Sequence, residues 1–215
     1  MINTAAIGQF SAAFRKDFSE LMRWRRDVRS FQDTPVDAEA LARCLDAFKL
    51  APSVSLTQPW RLVDIKSDGA RKAVVENFKS FNASALSGAD GETAKGFATQ
   101  KLKGLEVAPV QYAVFSDGAA TEGHVLDLSS IPQVLDYSVA AAIMQFWLAL
   151  RVEGIGMGWV SRFDPAQLQA DLDIAQSWTL VGYLCIGYPT ADSTEPDLQT
   201  RGYETRAPEL ELLAR

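Results

Sequence analysis

The sequence predicts one α+β domain, because segments with helical spacing of apolar residues alternate with short β-branched and aromatic runs. Its 215 residues are 47% hydrophobic and 22% charged, which is typical of a folded domain with a substantial core. The chain contains no internal repeat and no linker, so residues 1–215 are predicted to form a single domain.

Three helices and one strand are predicted in the first part of the chain. Phe14, Phe18 and Met22 recur at helical spacing in an amphipathic first helix, and a second helix ends before Pro52. Residues 60–65 alternate between apolar and polar side chains, which predicts a strand. An Asp-Gly turn then leads into a helix that runs to about residue 81.

The segment after this helix is predicted to be mobile. Residues 82–96 are small and polar and join a short helix that ends near Pro109, so a possible lid spans residues 82–108. The β-branched and aromatic residues 110–115 predict a strand, and residues 118–132 are expected to be irregular.

One long apolar helix dominates the second half of the chain. Residues 137–152 are apolar on nearly every side, which predicts a helix buried all round, at the centre of the domain or in a subunit interface. Glycines then lead into a short strand at residues 159–161, and a helix begins at Asp164 and Pro165. Residues 180–186 predict a central strand, and residues 190–215 form a C-terminal arm.

Charge and cysteine usage predict a cytoplasmic protein without nucleic-acid or membrane partners. A net charge of −6 argues against nucleic acid and against an anionic membrane surface. The longest apolar run, residues 139–152, is interrupted by Gln145 and Arg151 and is too short to span a bilayer, and the start of the chain lacks a signal pattern. Cys44 and Cys185 lie in apolar runs and are expected to be buried free thiols.

Few residues offer metal or hydrolytic chemistry. No set of His, Cys and carboxylate residues has metal-ligand spacing, and the sequence contains no phosphate-loop or nucleophile-elbow motif. His124 is the sole histidine, and a lone histidine is more often a loop residue than a catalyst. No metal site is therefore predicted.

The cluster at residues 25–29, Arg-Arg-Asp-Val-Arg, is the sharpest local feature of the sequence. Arg25 and Arg29 share a helix face and Arg26 lies three residues before Arg29, so the guanidinium groups can converge on one phosphate. A solvated, salt-bridged helix face is the alternative. Asp27 either neutralises a neighbouring arginine or faces the reactive part of a ligand whose phosphate the arginines hold.

Two further segments could contact a flat heterocycle. Residues 51–60 carry Ser53 and Gln58, which could donate to carbonyl and ring-nitrogen acceptors; a turn between two prolines is the alternative. The glycines at residues 154–158 leave room for a planar ligand against main-chain N–H groups. Their Gly-x-Gly-x-Gly pattern is not a dinucleotide fingerprint, because no strand precedes it.

Several segments, in order and spacing, resemble the nitroreductase family and, within it, the flavin-destructase branch of 5,6-dimethylbenzimidazole synthases. They are RRDVRSF, APSVSLTQPW, KLKGLEVAP, GHVL, YSVAAAIMQFWLALRVEGIGMGWVS and YLCIGYP. The resemblance covers roughly residues 20–207. The broader family usually lacks the aspartate within the arginine cluster and the GWVS segment. The sequence departs from the pattern at Ser55, where glycine is expected, at Lys103, where an acidic residue is expected, and at residues 127–130.

The resemblance implies a flavin-reductase fold, with a central, mostly antiparallel sheet flanked by helices, in a homodimer with FMN at the interface. The cofactor-binding residues that it implies are Arg25, Arg26, Arg29 and Arg206 for the phosphate and ribityl chain, Ser53 and Gln58 for the ring system, and Gly158 and Trp159 along the flavin edge. Asp27 and Ser161 match the polar residues that distinguish the branch and would be catalytic.

The implied reaction consumes reduced FMN as a substrate, with O2 as co-substrate. The ring system is fragmented, one ribityl carbon becomes part of 5,6-dimethylbenzimidazole, the lower ligand of vitamin B12, and erythrose 4-phosphate is released. A separate flavin reductase would supply the reduced FMN. Asp27 would accept a proton near the ribityl chain, and Ser161 would position the oxygen.

Two other functions are also compatible with the residues. An NAD(P)H-dependent nitroreductase or flavin reductase would keep FMN as a cofactor, although a carboxylate close to the flavin has no evident task in simple hydride transfer. A non-enzymatic flavin-binding protein would return its flavin unchanged after reduction and aeration.

Overall fold

The helices and strands of the computed structural model confirm the predicted α+β class. The structure describes residues 9–121, 131 and 133–214, so His124, the GHVL segment and residues 127–130 lie outside the described residues. The described helices are α1 Ala12–Trp24, α2 Ala38–Leu50, α3 Asp68–Phe81, α4 Ala83–Ser87, α5 Glu92–Val107, α6 Gln133–Val152, α7 Pro165–Asp171 and α8 Asp197–Thr200. The described strands are β1 Trp60–Asp64, β2 Val110–Asp117, β3 Gly156–Val160 and β4 Trp178–Gly187.

These strands form one antiparallel sheet in the order β1-β2-β4-β3. β4 lies between β2 and β3, as its apolar run predicted. Leu184 and Ile186 of β4 enter one core cluster, whereas Tyr183 and Cys185 enter the other, because successive side chains of a strand point to opposite faces. Both faces of the sheet are therefore buried.

The helices cover the sheet in two layers. α2 and α6 pack on one face, and α3, α5 and α7 pack on the other. By length and composition, α6 is apolar enough to cross a membrane, but it packs against the sheet. Ile143, Phe146 and Leu150 of α6 have no exposed surface, so it is the core helix of this layer.

The prediction that α6 is buried all round is wrong for the single protomer. Tyr137 and Val152 are 66% and 69% exposed, and Met144 is also exposed. α1, which contacts α6, is more open still, because none of its residues is buried. The sheet fills only one side of α6, and an apolar stripe remains on the other.

Two predicted boundaries are also wrong. The strand predicted at residues 159–161 begins at Gly156 and ends at Val160, because the glycines themselves pair with β4. The predicted lid at 82–108 includes the buried Lys101 and Leu105 in the second half of α5, which packs into the core. Movement of residues 82–96 stays a prediction.

The two cysteines are buried and free, as expected. Burial raises the pKa of the Cys185 thiol to about 12 and that of the Cys44 thiol to about 11. Both therefore remain neutral thiols at physiological pH.

Candidate functional site

The predicted phosphate-binding arginines line an open cleft of about 830 Å³ between residues 25–30, α5 and the C-terminal arm. This volume lies within the roughly 300–1,000 Å³ that is usual for small-molecule sites. Arg25, Arg26, Asp27, Arg29 and Arg206 all line it. Residues far apart in the sequence are thus brought together as the resemblance implied.

Three of these arginines form no ion pair with the described part of the chain: Arg25, Arg26 and Arg206. Arg25 stacks its guanidinium 4.6 Å from the ring centre of Trp147. The Arg26 side chain donates to the carbonyl of Arg23, and its Nε is buried without a partner among the described residues. A cleft with several uncompensated guanidinium groups is suited to a phosphate.

Burial, and after it mutual repulsion, lowers the pKa of two arginines in this group. Burial, followed by the charges of Arg25 and Arg206, lowers the pKa of Arg26, and the nearby Glu195 opposes the shift. Burial also lowers the pKa of Arg25, where Asp27 opposes the shift and Arg206 adds to it. An anion bound in the cleft would relieve this repulsion.

Arg29 differs from the other three because its side chain is engaged within the chain. Its Nε donates to Asp27 at 3.1 Å, and its Nη1 donates to Gln100 and Asp197, each at 2.9 Å. Three of its five N–H donors are thus occupied, and its side chain is only 11% exposed. The prediction that Arg25 and Arg29 share a helix face is wrong, because α1 ends before Arg25, whose backbone is already extended. Arg29 is salt-bridged but largely buried, and only its Nη2 remains for a ligand.

Asp27 accepts hydrogen bonds at all of its main acceptor positions. Oδ1 accepts from Lys101 Nζ at 3.0 Å and from the Trp159 amide at 2.9 Å. Oδ2 accepts from Lys101 Nζ at 2.7 Å and from Arg29 Nε at 3.1 Å. An ionised carboxylate offers about four lone-pair sites, so Asp27 is fixed in place at the wall of the cleft.

Lys101 is the site residue that the sequence reasoning missed. It lies on α5 and is buried, with a side chain only 10% exposed. Burial lowers its pKa, and the Asp27 carboxylate opposes that shift. Ala98, Lys101 and Leu105 follow helical spacing on the buried face of α5, so a lysine within an apolar stripe was the signal that could have revealed it.

The glycines of β3 have a different role from the one predicted. A Cβ on Gly158 would lie 2.2 Å from the carbonyl oxygen of Val28, and one on Gly156 would lie 2.7 Å from a methyl of Val28. The Val28 amide donates to the Met157 carbonyl at 3.0 Å. The glycines therefore make room for residues 27–28 of the same chain, which occupy the space predicted for a planar ligand.

Gly158→Ala is expected to destabilise the protein by about 2–3 kcal/mol, because the new methyl would displace backbone that anchors Asp27. Thermal unfolding, with FMN binding measured in parallel, checks this. Gly69→Ala is the matched control, since no atom lies within 4 Å of its Cβ position. Wild-type stability in Gly158→Ala would contradict the packing role.

Trp159 and Ser161 lie at the end of β3. Trp159 contributes its amide to Asp27, and its indole fills the space above Gly182. Ser161 is exposed just beyond the strand, and its hydroxyl makes no hydrogen bond to the described part of the chain. It is therefore available to a ligand.

Two buried asparagines that sequence reasoning missed hold the loop after Ser161. Asn82 donates to the carbonyl of Arg162 at 3.0 Å, and Asn77 exchanges two hydrogen bonds with the backbone of Asp164. Asn77 lies in α3 and Asn82 directly follows it, so this end of α3 holds the loop that follows Ser161.

The turn that carries Ser53 and Gln58 is backbone-strained. Ser55, Leu56 and Gln58 have φ of 49°, 55° and 47°, a left-handed region that non-glycine residues rarely adopt. This conformation explains why glycine was expected at position 55. The Ser53 hydroxyl accepts a hydrogen bond from the backbone N–H of Gln58 at 3.0 Å.

One protomer does not bring this turn to the arginines. The Val54 amide donates to Ser138 near the start of α6, whereas Arg25 stacks on Trp147 of the same helix. The two anchor points on α6 are nine residues apart. None of residues 53–58 lines the arginine cleft, so the predicted ring contacts and phosphate contacts lie in separate places in one copy of the chain.

Comparison with known proteins decides the family. A model of the Nitroreductase family matches residues 22–188. The chain belongs to the nitroreductase family. A 5,6-dimethylbenzimidazole synthase of Rhodospirillum rubrum is 44% identical over 93% of this chain and 94% of its own. One from Rhodobacter capsulatus is 38% identical over 93% of this chain and 96% of its own.

Solved structures of other proteins share the fold. An iodotyrosine deiodinase bound to FMN and 3-iodo-L-tyrosine superposes with a TM-score of 0.67 at 20% identity, covering 92% of this chain and 97% of its own. A protein from Exiguobacterium sibiricum described as a nitroreductase in complex with FMN gives a TM-score of 0.66 at 16% identity, covering 94% and 95%. At these identities the likeness concerns the fold alone. The predicted nitroreductase-like fold is confirmed.

Proposed function

We propose that the protein fragments reduced FMN to 5,6-dimethylbenzimidazole, with uptake of O2 and release of erythrose 4-phosphate and of the remaining pyrimidine part of the ring system. The observation that carries the proposal is the cleft in which three arginines, without ion-pair partners in the described part of the chain, lie beside the Asp27 carboxylate. The relatives from Rhodospirillum rubrum and Rhodobacter capsulatus are named for the synthesis of this benzimidazole. The FMN-bound neighbours with this fold support a flavin as the ligand.

The residues of the site have different roles toward the flavin. Arg26 and Arg206, whose guanidinium groups line the cleft, bind the phosphate, and Arg25 adds charge beside them. Asp27 faces the ribityl chain, where it accepts a proton once one of its donors moves aside. Ser161 does not line the cleft but follows the end of β3, where the Trp159 amide donates to Asp27, and it donates a hydrogen bond that positions the oxygen. Reduced FMN supplies the electrons, and a separate flavin reductase of the cytoplasm supplies the reduced FMN.

In the proposed function the protein is a homodimer, and the second copy completes the site. The apolar stripe of Tyr137, Met144 and Val152 on α6 is exposed, and so are Phe14 and Phe18 on α1. Exposed apolar surface of this extent on adjacent helices is typical of a subunit interface. A second copy packed there would carry its own Ser53–Gln58 turn to the partner's arginines, which one protomer keeps apart.

Disruption of the α1 face is expected to yield monomers. Phe14→Glu with Phe18→Glu introduces two charges where no side chain is buried in the protomer, so folding is preserved. Light scattering after size exclusion should give twice the 23.5 kDa protomer mass for the wild type and one protomer for the variant. Lys16→Glu, on the exposed surface of the same helix, is the control. A wild-type monomer would contradict the dimer.

An aeration experiment tests the proposed reaction. The protein is mixed with chemically reduced FMN under nitrogen, air is admitted, and the flavin and the benzimidazole are separated by chromatography. The proposal predicts that flavin disappears as 5,6-dimethylbenzimidazole forms. Flavin that returns intact and oxidised would contradict the proposal and favour an NAD(P)H-dependent reductase. Protein with an Asp27→Asn substitution is the control for uncatalysed breakdown.

A further inference from the structure

We propose that Lys101 is a positioning residue of the site, whose ammonium group holds the Asp27 carboxylate and the end of β3 in one arrangement. The inference rests on the proposed function and adds a residue that acts through Asp27. It follows from three contacts, from burial and from the elements that the contacts join.

The ammonium group of Lys101 has three acceptors for its three N–H bonds. Nζ donates to Oδ1 and Oδ2 of Asp27 at 3.0 and 2.7 Å, and it also donates to the Trp159 carbonyl. The Trp159 amide donates back to Asp27 Oδ1 at 2.9 Å. The three residues therefore form a closed ring of hydrogen bonds.

This ring ties together three elements that the chain keeps far apart. Lys101 lies on α5, Asp27 in the segment that carries the arginines, and Trp159 on β3, two residues before Ser161. A shift of α5 would therefore move the carboxylate and the strand end together. Lys101 therefore links Asp27 to the strand that leads into Ser161.

Stability alone does not account for a charge at this position. The Lys101 side chain is 10% exposed and that of Asp27 is 28% exposed, so both charges are largely removed from water. Removing charges from water is costly, and apolar residues of similar volume often stabilise such a position equally well. The ion pair is explained by the geometry that it imposes.

The charged and titratable groups around Asp27 come from several elements. Arg25 and Arg29 lie on its own segment, and Arg29 is also paired with Asp197 of α8. Cys185 of β4 interacts with both Asp27 and Lys101 but is a neutral thiol, and Arg71 of α3 acts on Cys185. Among these groups Lys101 makes the shortest ionic contact with the carboxylate, at 2.7 Å.

The test compares Lys101→Met, Lys101→Arg and Lys72→Met, the last on an exposed lysine of α3. We expect Lys101→Met to lower the rate of 5,6-dimethylbenzimidazole formation at least about 100-fold, with the dissociation constant of FMN changed less than about tenfold. Lys101→Arg should recover at least about tenfold of that loss, since it restores a cation. Lys72→Met should behave as the wild type.

Rescue by the conservative variant separates positioning from a purely structural role. In a positioning role, Lys101→Met loses rate while FMN affinity is largely kept, and Lys101→Arg recovers part of that rate. Wild-type rates in Lys101→Met, or equal losses of rate in Lys101→Met and Lys101→Arg, would overturn the inference.

A double-mutant cycle with Asp27→Asn keeps the inference separate from the proposed function. If Lys101 acts through Asp27, the double variant is no slower than Asp27→Asn alone, and the losses in thermal unfolding are also non-additive. If wild-type protein forms no benzimidazole, the proposed function fails, and the thermal cycle alone decides on Lys101. If Lys101→Met does not fold, Lys101→Arg and the double variant give the same comparison. Additive losses of rate or of thermal stability would contradict coupling between Lys101 and Asp27.

Discussion

Asp27→Asn is expected to lower product formation at least about 100-fold, the lower end of what a positioned proton acceptor contributes. The amide keeps the shape of the side chain but turns one acceptor oxygen into a donor, which faces Lys101, Arg29 or the Trp159 amide. The buried ammonium of Lys101 then lacks its counter-charge. Both changes remove the arrangement on which the proposed chemistry depends.

The same substitution should lower the free energy of unfolding by about 2–3 kcal/mol, less than the about 3–5 kcal/mol of a fully buried pair because Asp27 is 28% exposed. Chromatography of the aerated reaction and thermal unfolding measure the two effects. Asp46→Asn is the matched control, since the Asp46–Lys49 pair is 61% and 78% exposed and contributes little. Normal turnover in Asp27→Asn would remove this residue from the mechanism.

Arg26→Ala and Arg206→Ala should each weaken FMN binding by about 1.5–3 kcal/mol, the scale of a hydrogen bond to a charged group. This corresponds to roughly a 10- to 150-fold higher dissociation constant. Both residues line the cleft and lack an ion pair within the described part of the chain. Apart from the Arg26 Nη2, which donates to the Arg23 carbonyl, their donors make no hydrogen bond there and are free for phosphate. Titration with monitoring of flavin fluorescence measures the change.

Substitutions of two other arginines are the comparison for this prediction. Arg43 of α2 is exposed and is paired with Glu153. Arg43→Ala should therefore leave FMN affinity unchanged. Arg29→Ala should mainly lower thermal stability, because Arg29 joins Asp27, Gln100 and Asp197. Unchanged affinity in both Arg26→Ala and Arg206→Ala would contradict the phosphate assignment.

Local patterns predicted most of the fold. The Asp164 cap and the Pro165 start of α7 form as expected, and the Asp164 carboxylate accepts from the amides of residues 166 and 167. The alternation in residues 60–65 and the apolar run of residues 180–186 became β1 and β4. These features depend on neighbours a few residues away, which a sequence displays directly.

The errors arose where distant segments meet. The glycines of β3 are explained by Val28, which lies about 130 positions earlier in the chain. The burial of a lysine at position 101 is explained by its ion pair with Asp27, 74 positions away. A lysine within the apolar stripe of α5 is a local signal of burial. The partner of neither feature is visible locally, since register and tertiary contacts decide which side chain fills which space.

The candidate site was predicted in part for the same reason. Arg25, Arg26 and Arg206 were chosen through the resemblance, and the fold brings them to one cleft. The Ser53–Gln58 turn does not line this cleft. In the proposed homodimer its flavin contacts come from a second copy, which a single sequence does not display. Arg29 was assigned to the ligand, although its partners within the chain take three of its donors.

Isotope tracing distinguishes a flavin that is the substrate from a flavin that is a cofactor. Reduced FMN carrying ¹³C throughout its ribityl chain is aerated with the protein, and the benzimidazole is analysed by mass spectrometry. The proposed reaction predicts 5,6-dimethylbenzimidazole heavier by one mass unit, since one ribityl carbon enters the product, and at least about 100-fold less of it with Asp27→Asn. Labelled FMN recovered whole and oxidised would contradict the proposed reaction, because the flavin would then be a cofactor and not the substrate.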